Sequence, residues 1–174
     1  EVSLPTHNVS IGNPYQALQN RVAYVPKDRD GEALMMGASI QNNFCLPSVE
    51  TLKGRFGFLS PKKLYQASSK AREQFSVKST GVDQLMRALS GGNKQKVNLG
   101  RWLIKDLDVL IVDCPTRGVD IGVKAYIYQC LREAKEKGMA ILLITDELSE
   151  VLGMADTIAV MKDGEICKLL PRSA

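Results

Sequence analysis

The clearest periodicity lies in the second half of the chain, where short apolar runs alternate with an amphipathic stretch. Val109-Leu110-Ile111-Val112 is unbroken in its hydrophobicity, residues 122–137 carry a helical pattern, and Met139 to Ile144 is apolar again. Buried runs of this length, separated by a helix, predict parallel strands in an α/β sheet. Gly138 stands where that helix should stop, and Glu133 and Lys137 fall at i,i+4 on its solvated face. A short helix is predicted over 147–153. Strands over 157–161 and 165–170 follow, joined by Asp163-Gly164, a dipeptide that favours a tight hairpin.

The first half is less regular. A strand is predicted over 21–25, ending at Pro26, with a helical turn over 14–20 before it, and residues 1–10 are expected to add an edge strand. From 31 to 89 the chain changes character, with scattered Gly, Pro and Ser and one helix-like stretch over 61–75. That pattern predicts an inserted, mainly helical subdomain, without internal repeats or low-complexity tracts. The last four residues, PRSA, read as a frayed end.

Composition narrows the function classes. With 44% hydrophobic and 24% charged residues in 174, the chain suits one sizeable globular core. No apolar run approaches the roughly 20 residues a spanning helix needs, and the first residues do not form a secretion signal. The net charge of +4 arises from 23 basic residues spread among 19 acidic ones, so no nucleic-acid partner is implied. Cys45, Cys114, Cys130 and Cys167 are widely separated and suggest neither a zinc site nor a disulfide framework. His7, the only histidine, is read as incidental.

The most informative segment is Leu89-Ser90-Gly91-Gly92-Asn93-Lys94-Gln95-Lys96, followed by a helical pattern in which Val97, Arg101 and Ile104 share one face and Trp102 another. A Ser-Gly-Gly turn opening a helix is suited to an anion. The helix N-terminus offers unpaired N–H groups and the positive end of its dipole, the glycines allow close approach, and the serine adds a hydroxyl donor. A serine N-cap on a purely structural helix reads the same way in isolation. Val109 to Asp113 adds weight to the anion reading: an apolar strand ending in a carboxylate places that Asp at the sheet edge where open α/β proteins bind ligands. Such an Asp holds the water shell of a nucleotide's Mg²⁺.

At this point the chain resembles a known family, the ABC-transporter ATPases. LSGGNKQK resembles the ABC signature motif, VLIVD resembles Walker B, and Arg117-Gly118-Val119-Asp120 resembles the D-loop, in that order. DCPTRGVDIGVK, SEVLGMAD and the MKDGEI hairpin are most similar to the second of two tandem nucleotide-binding domains in sugar-type importers of the ribose/galactose/xylose kind, and AYVPKDR to that family's Q-loop region. The resemblance implies a P-loop NTPase-like core, partial and mainly parallel, flanked by helices and interrupted by the helical subdomain. Its parts would be residues 1–30 (core with Q-loop region), 31–97 (helical subdomain ending in the signature motif) and 98–174 (core with Walker B, D-loop and switch region). It also implies ATP and Mg²⁺ as cofactors, and a second nucleotide-binding domain and transmembrane permease subunits as partners. The expected location is the cytoplasmic face of the plasma membrane. Nucleotide contacts would fall on Ser90, Gly91, Gly92, Asn93, Lys27 and Asp120, with Asp113 holding Mg²⁺ through water. Residues from Gly31 to Leu46 are candidates for permease contact.

Departures from the family pattern bear on activity. No glycine-rich string ending in Gly-Lys-Ser/Thr occurs, and in the family this P-loop precedes the segment resembling residues 1–10, so the chain is expected to begin downstream of it. The family's catalytic carboxylate is matched by Cys114, whose thiol is a weak acceptor and a poor base near neutrality. Asp146 occupies the switch-histidine position, where a carboxylate repels a γ-phosphate, and Lys27 stands at the Q-loop glutamine. The ATP site on this domain's own Walker B face should therefore hydrolyse poorly, while the signature turn is intact and free to complete a partner's site. A non-catalytic assembly module is the alternative. Chromosome and DNA-repair ATPases fit less well, since residues 31–89 contain neither sustained heptads nor a paired-cysteine hook.

Overall fold

The structure, a computed structural model, describes residues 2–4 and 9–172, with side chains from Ser10 onward; His7 and the last two residues lie outside these. Two short strands, β1 (Val2–Leu4) and β2 (Val9–Ile11), pair antiparallel with each other. They do not extend the main sheet, so the expected edge strand is instead a separate two-stranded unit. Local chemistry explains the separation. Directly after β2, Asn13 accepts a hydrogen bond from the Gln16 amide and Pro14 sets the first helical position, which turns the chain into α1 (Pro14–Gln19).

The main sheet consists of β3 (Val22–Val25), β4 (Val109–Asp113) and β5 (Ala140–Ile144), all parallel, in the order β3-β4-β5. Val25, Leu110 and Val112 are fully buried on one side. On the other, Tyr24, Leu142 and Ile144 are exposed, although Tyr24, Ile111 and Leu142 form one cross-strand row. The apolar runs thus have one covered face among the described residues. Among the described residues β5 has a strand neighbour on one side alone.

Between β3 and β4 lies the helical insertion: a single π-helical turn over Arg29–Ala33, α2 (Ile40–Cys45), α3 (Val49–Leu52) and α4 (Pro61–Gln74). Its core is formed by Leu34, Ile40, Phe44, Phe75 and Met86, among others. A second cluster joins the sheet to the helices around Val25, Leu99, Leu110, Val112, Ile127 and Leu131. The helix α5 (Gly91–Leu103) is the wall between them, with Val97 facing the first cluster and Leu99 the second. Gly100 permits the close approach to the first cluster, because a Cβ there would meet the Phe75 ring at 2.7 Å. Ile104, expected beside Val97 and Arg101, is 37% exposed, since α5 ends one residue earlier.

The helix α6 (Ile121–Glu136) connects β4 to β5 and is followed by Gly138 at φ 95°, the left-handed conformation that suits a residue without Cβ. Glu133 accepts from Gln129 instead of pairing with Lys137. After β5 come α7 (Leu148–Met154) and the hairpin of β6 (Thr157–Lys162) and β7 (Glu165–Pro171), with Asp163 and Gly164 both at positive φ as a tight turn requires. No helix among the described residues is long and apolar enough to cross a membrane.

Candidate nucleotide-binding face

Two groups of residues converge at the ends of these elements. The first is the turn that opens α5. Ser90 is exposed and extended, and its Oγ accepts from the Asn93 amide at 3.4 Å and from Asn93 Nδ2 at 2.9 Å. Both acceptor positions of the hydroxyl are thereby engaged, which leaves its O–H to donate outward. The Asn93 side-chain Oδ1 itself accepts from the Lys78 amide at 2.9 Å. Among the described residues no acceptor meets the N–H of Gly91 or Gly92, as expected for a first helical turn. Gly92 is wedged against α6, where a Cβ would lie 2.7 Å from Val123 Cγ2. Gly91 is half-buried, with Arg29 Nη2 3.1 Å from where its Cβ would stand. Asp120 lies nearby as the N-cap of α6, its Oδ1 accepting from the Val123 amide at 3.0 Å while the residue stays exposed.

The second group follows the C-terminal ends of the three parallel strands. Lys27 comes just after β3, Cys114 directly after β4 and Asp146 just after β5. Asp113, at the tip of β4, accepts from the Tyr24 hydroxyl at 3.4 Å. Cys114 is buried, donates its amide to the Ile144 carbonyl at 2.8 Å, and adopts φ 45°, a strained region for a residue with a Cβ. Burial chiefly pushes its thiol pKa up, helped by a hydrogen bond to Asp113 and by the charges of Asp113 and Asp146, against which Lys27 acts in the other direction. Lys27, Asp113, Cys114 and Asp146 therefore share one electrostatic neighbourhood.

Several supporting groups lie in or beside these motifs, but the sequence assigns them no role. The Gln95 side chain donates to the Pro115 carbonyl at 2.7 Å, tying α5 to the loop after β4. Thr116 donates to the buried Glu150 at 3.0 Å. Lys124 Nζ reaches both oxygens of Glu147 at 2.7 and 2.8 Å, and the Glu147 amide donates to Thr145 Oγ1 at 3.1 Å, which fixes the chain on both sides of Asp146. These contacts join segments far apart in sequence, and no periodicity announces them. All four cysteines are free thiols.

One carboxylate at the tip of β4 does not make a metal site: among the described residues no group of three or more His, Cys, Asp or Glu side chains could hold an ion. Magnesium is ordinarily held by one or two carboxylates together with substrate phosphates, and Asp113 fits that partial role.

A family model described as ABC transporter matches residues 2–117. The ribose import ATP-binding protein RbsA of Lactococcus lactis subsp. lactis is 40% identical over 166 residues, covering 95% of this chain and 34% of that protein. RbsA of Corynebacterium glutamicum is 38% identical over 171 residues, covering 98% and 32%. A putative ribose/galactose/methyl galactoside import ATP-binding protein of Agrobacterium fabrum is 36% identical over 162 residues, covering 93% and 32%. The chain thus spans about a third of the length of these relatives. Among solved structures, a dimeric post-hydrolysis ATP-binding cassette bound to ADP and Pi superposes with a TM-score of 0.77 at 18% identity, covering 95% of this chain and 69% of the cassette. A nucleotide-free cassette gives 0.73 at 21% identity, covering 92% and 64%. These likenesses show the fold, and the family match spans both the signature turn and the β4 aspartate: the chain belongs to the ABC transporter family.

Proposed function

We propose that this chain is part of the ATP-binding subunit of an importer for a sugar-like solute, and that its signature turn completes an ATP site whose P-loop lies in another domain. The observation that carries this reading is the state of residues 90–92. An outward hydroxyl and two unpaired amides at a helix N-terminus suit a terminal phosphate, and hydrogen bonds to such an anion are the strong, charge-assisted kind. The names of the relatives supply the solute class, and the dimeric state of the solved cassettes supports pairing with a second nucleotide-binding domain.

The domain's own site is the weaker half. Asp113 would take up water of a magnesium ion that shields nucleotide phosphates, while Cys114 and Asp146 replace the carboxylate and histidine that hydrolysis needs there. Lys27 is exposed and able to reach a phosphate, so nucleotide retention without turnover is the expected behaviour of that face. The free edge and bare face of β5 leave room for a further strand and helix, which supports a P-loop-bearing segment packed there in the complete subunit. Permease subunits would meet the helical insertion, from Gly31 to Leu46, on the cytoplasmic side of the membrane.

Ser90→Arg in the complete subunit, assayed with its partner domain, tests the proposal. Loss of one preorganised donor typically lowers kcat by about 10² to 10³, and the bulky cation adds a steric block, so we expect hydrolysis to fall about a hundredfold or more. Unchanged hydrolysis contradicts the proposal. The second reading, an assembly module that takes no part in nucleotide binding, is favoured by the protonated Cys114 beside Asp146. It requires that a non-hydrolysable ATP analogue bind equally well with and without the Ser90 substitution.

A further inference from the structure

Arg29 closes the AYVPKDR string, where the sequence assigns it no role, yet three distant segments meet at its guanidinium. Arg29 opens the π-helical turn after β3, and its side chain is 21% exposed. Nη1 donates to the Arg117 carbonyl at 3.3 Å. Nη2 lies 3.1 Å from where a Cβ on Gly91 would stand and 3.9 Å from the same point on Gly118. Nε faces Asp30 Oδ1 at 3.4 Å, and the other oxygen of Asp30 accepts Lys94 Nζ at 3.0 Å. The D-loop at 117–118 is hydrogen-bonded to this planar group, while the signature turn at 91–94 meets it by close approach at Gly91 and through the Asp30–Lys94 pair.

We propose that Arg29 is a positioning residue that holds the signature turn and the D-loop at a fixed separation. Charge alone does not explain it, because a cation beside the positive end of α5 is disfavoured, and Asp30 is shared between Arg29 and Lys94 as if to offset this. Shape does explain it. A guanidinium is flat and rigid enough to donate to a carbonyl while its edge lies over two glycines, which a flexible ammonium does not reproduce. Gly91 keeps the space that Nη2 occupies, so the glycine serves Arg29 as well as an approaching anion. Ser90, Arg117, Gly118 and Asp120 are all exposed, and a shift of either segment would move one part of that surface against the other. This inference rests on the proposed role of the signature turn in a partner's ATP site.

The test uses Arg29→Met and the milder Arg29→Lys in the complete subunit with its partner domain. Amide hydrogen exchange should rise in both 91–94 and 117–120, with that of β4 and α6 unchanged, and kcat should fall about tenfold or more, since small displacements of positioned groups cost rate steeply. KM for ATP should stay within about twofold in this scheme, in which binding is left intact and only transition-state placement suffers. Arg29→Lys should not rescue the loss, whereas full rescue by lysine would show a simple charge effect and overturn the proposal. Unchanged exchange in either segment, or raised exchange with unchanged kcat, also overturns it. A silent Ser90→Arg removes the nucleotide reading on separate grounds, leaving exchange to judge the clamp itself.

Discussion

Cys114 concentrates in one side chain the chemistry behind the proposed weakness of the domain's own site. It is buried, at positive φ, between Asp113 and a switch segment that ends in Asp146, and all the carboxylates around it favour the neutral thiol. Burial likewise pushes the thiols of Cys45 and Cys130 up, whereas Cys167 is exposed on β7. Because the thiolate is the reactive form, native-state alkylation at pH 8 should modify Cys167 within minutes and leave Cys45, Cys114 and Cys130 largely intact until the chain is unfolded. Mass spectrometry of timed samples checks this, and rapid labelling of Cys114 would contradict the environment described. The linkage sign follows from the same shift. The folded chain holds the Cys114 proton more tightly than the unfolded one, so the associated stability is fully present below the ordinary thiol value and is lost as pH rises from there through the raised folded value.

At the scale of elements, α5 carries most of the architecture, since one helix presents the proposed anion-binding turn at its start and separates two cores along its length. Gly100 is its tightest point, with Phe75 at 2.7 Å and Phe44 at 3.1 Å from a would-be Cβ. Both neighbours are aromatic rings packed within a core, so neither yields as a flexible side-chain end would. Gly100→Ala should therefore destabilise the chain by about 1–3 kcal/mol, despite alanine's better helix propensity. Urea unfolding measures it, and an alanine variant as stable as the parent would contradict the packing. Much of this element was legible beforehand: Ser90 as its cap, the glycine pair and the apolar run of β4 all follow local rules. The end of the helix was not, because Ile104 fits the period and only the turn into Asp106 and Leu107 stops it. Arg29, Gln95 and Glu150 were hidden for a different reason. Their partners, Arg117, Pro115 and Thr116, lie about 20 to 90 residues away, and hydrogen bonds across folded segments leave no periodic trace in sequence.

At the scale of the whole molecule, the parallel sheet is covered on one side only among the described residues. Tyr24, Leu142 and Ile144 are exposed together, and Val160, Met161, Ile166 and Leu169 are exposed on the β6–β7 hairpin. A sequence of continuous apolar strands foretells a sheet buried on both faces, and here that forecast holds for one face of β4 and fails for β5, whose burial alternates. Contiguous apolar surface of this kind marks a docking face or a liability. The 174-residue chain by itself should bind an apolar fluorescent dye strongly, and the pair Leu142→Thr, Ile144→Thr should reduce that signal at least about twofold with Tm within a few degrees, because neither side chain is in the core. An unchanged dye signal would mean that the face is already covered.

The most direct measurement of the central claim is photolabelling with an ATP analogue that carries its reactive group on the terminal phosphate. In the complete subunit paired with its partner domain, label should appear in the peptide Ala88 to Lys94 and should disappear when the partner's P-loop lysine is replaced. Label absent from that peptide, or present to the same extent without the partner's lysine, would contradict a signature turn that serves another domain's nucleotide.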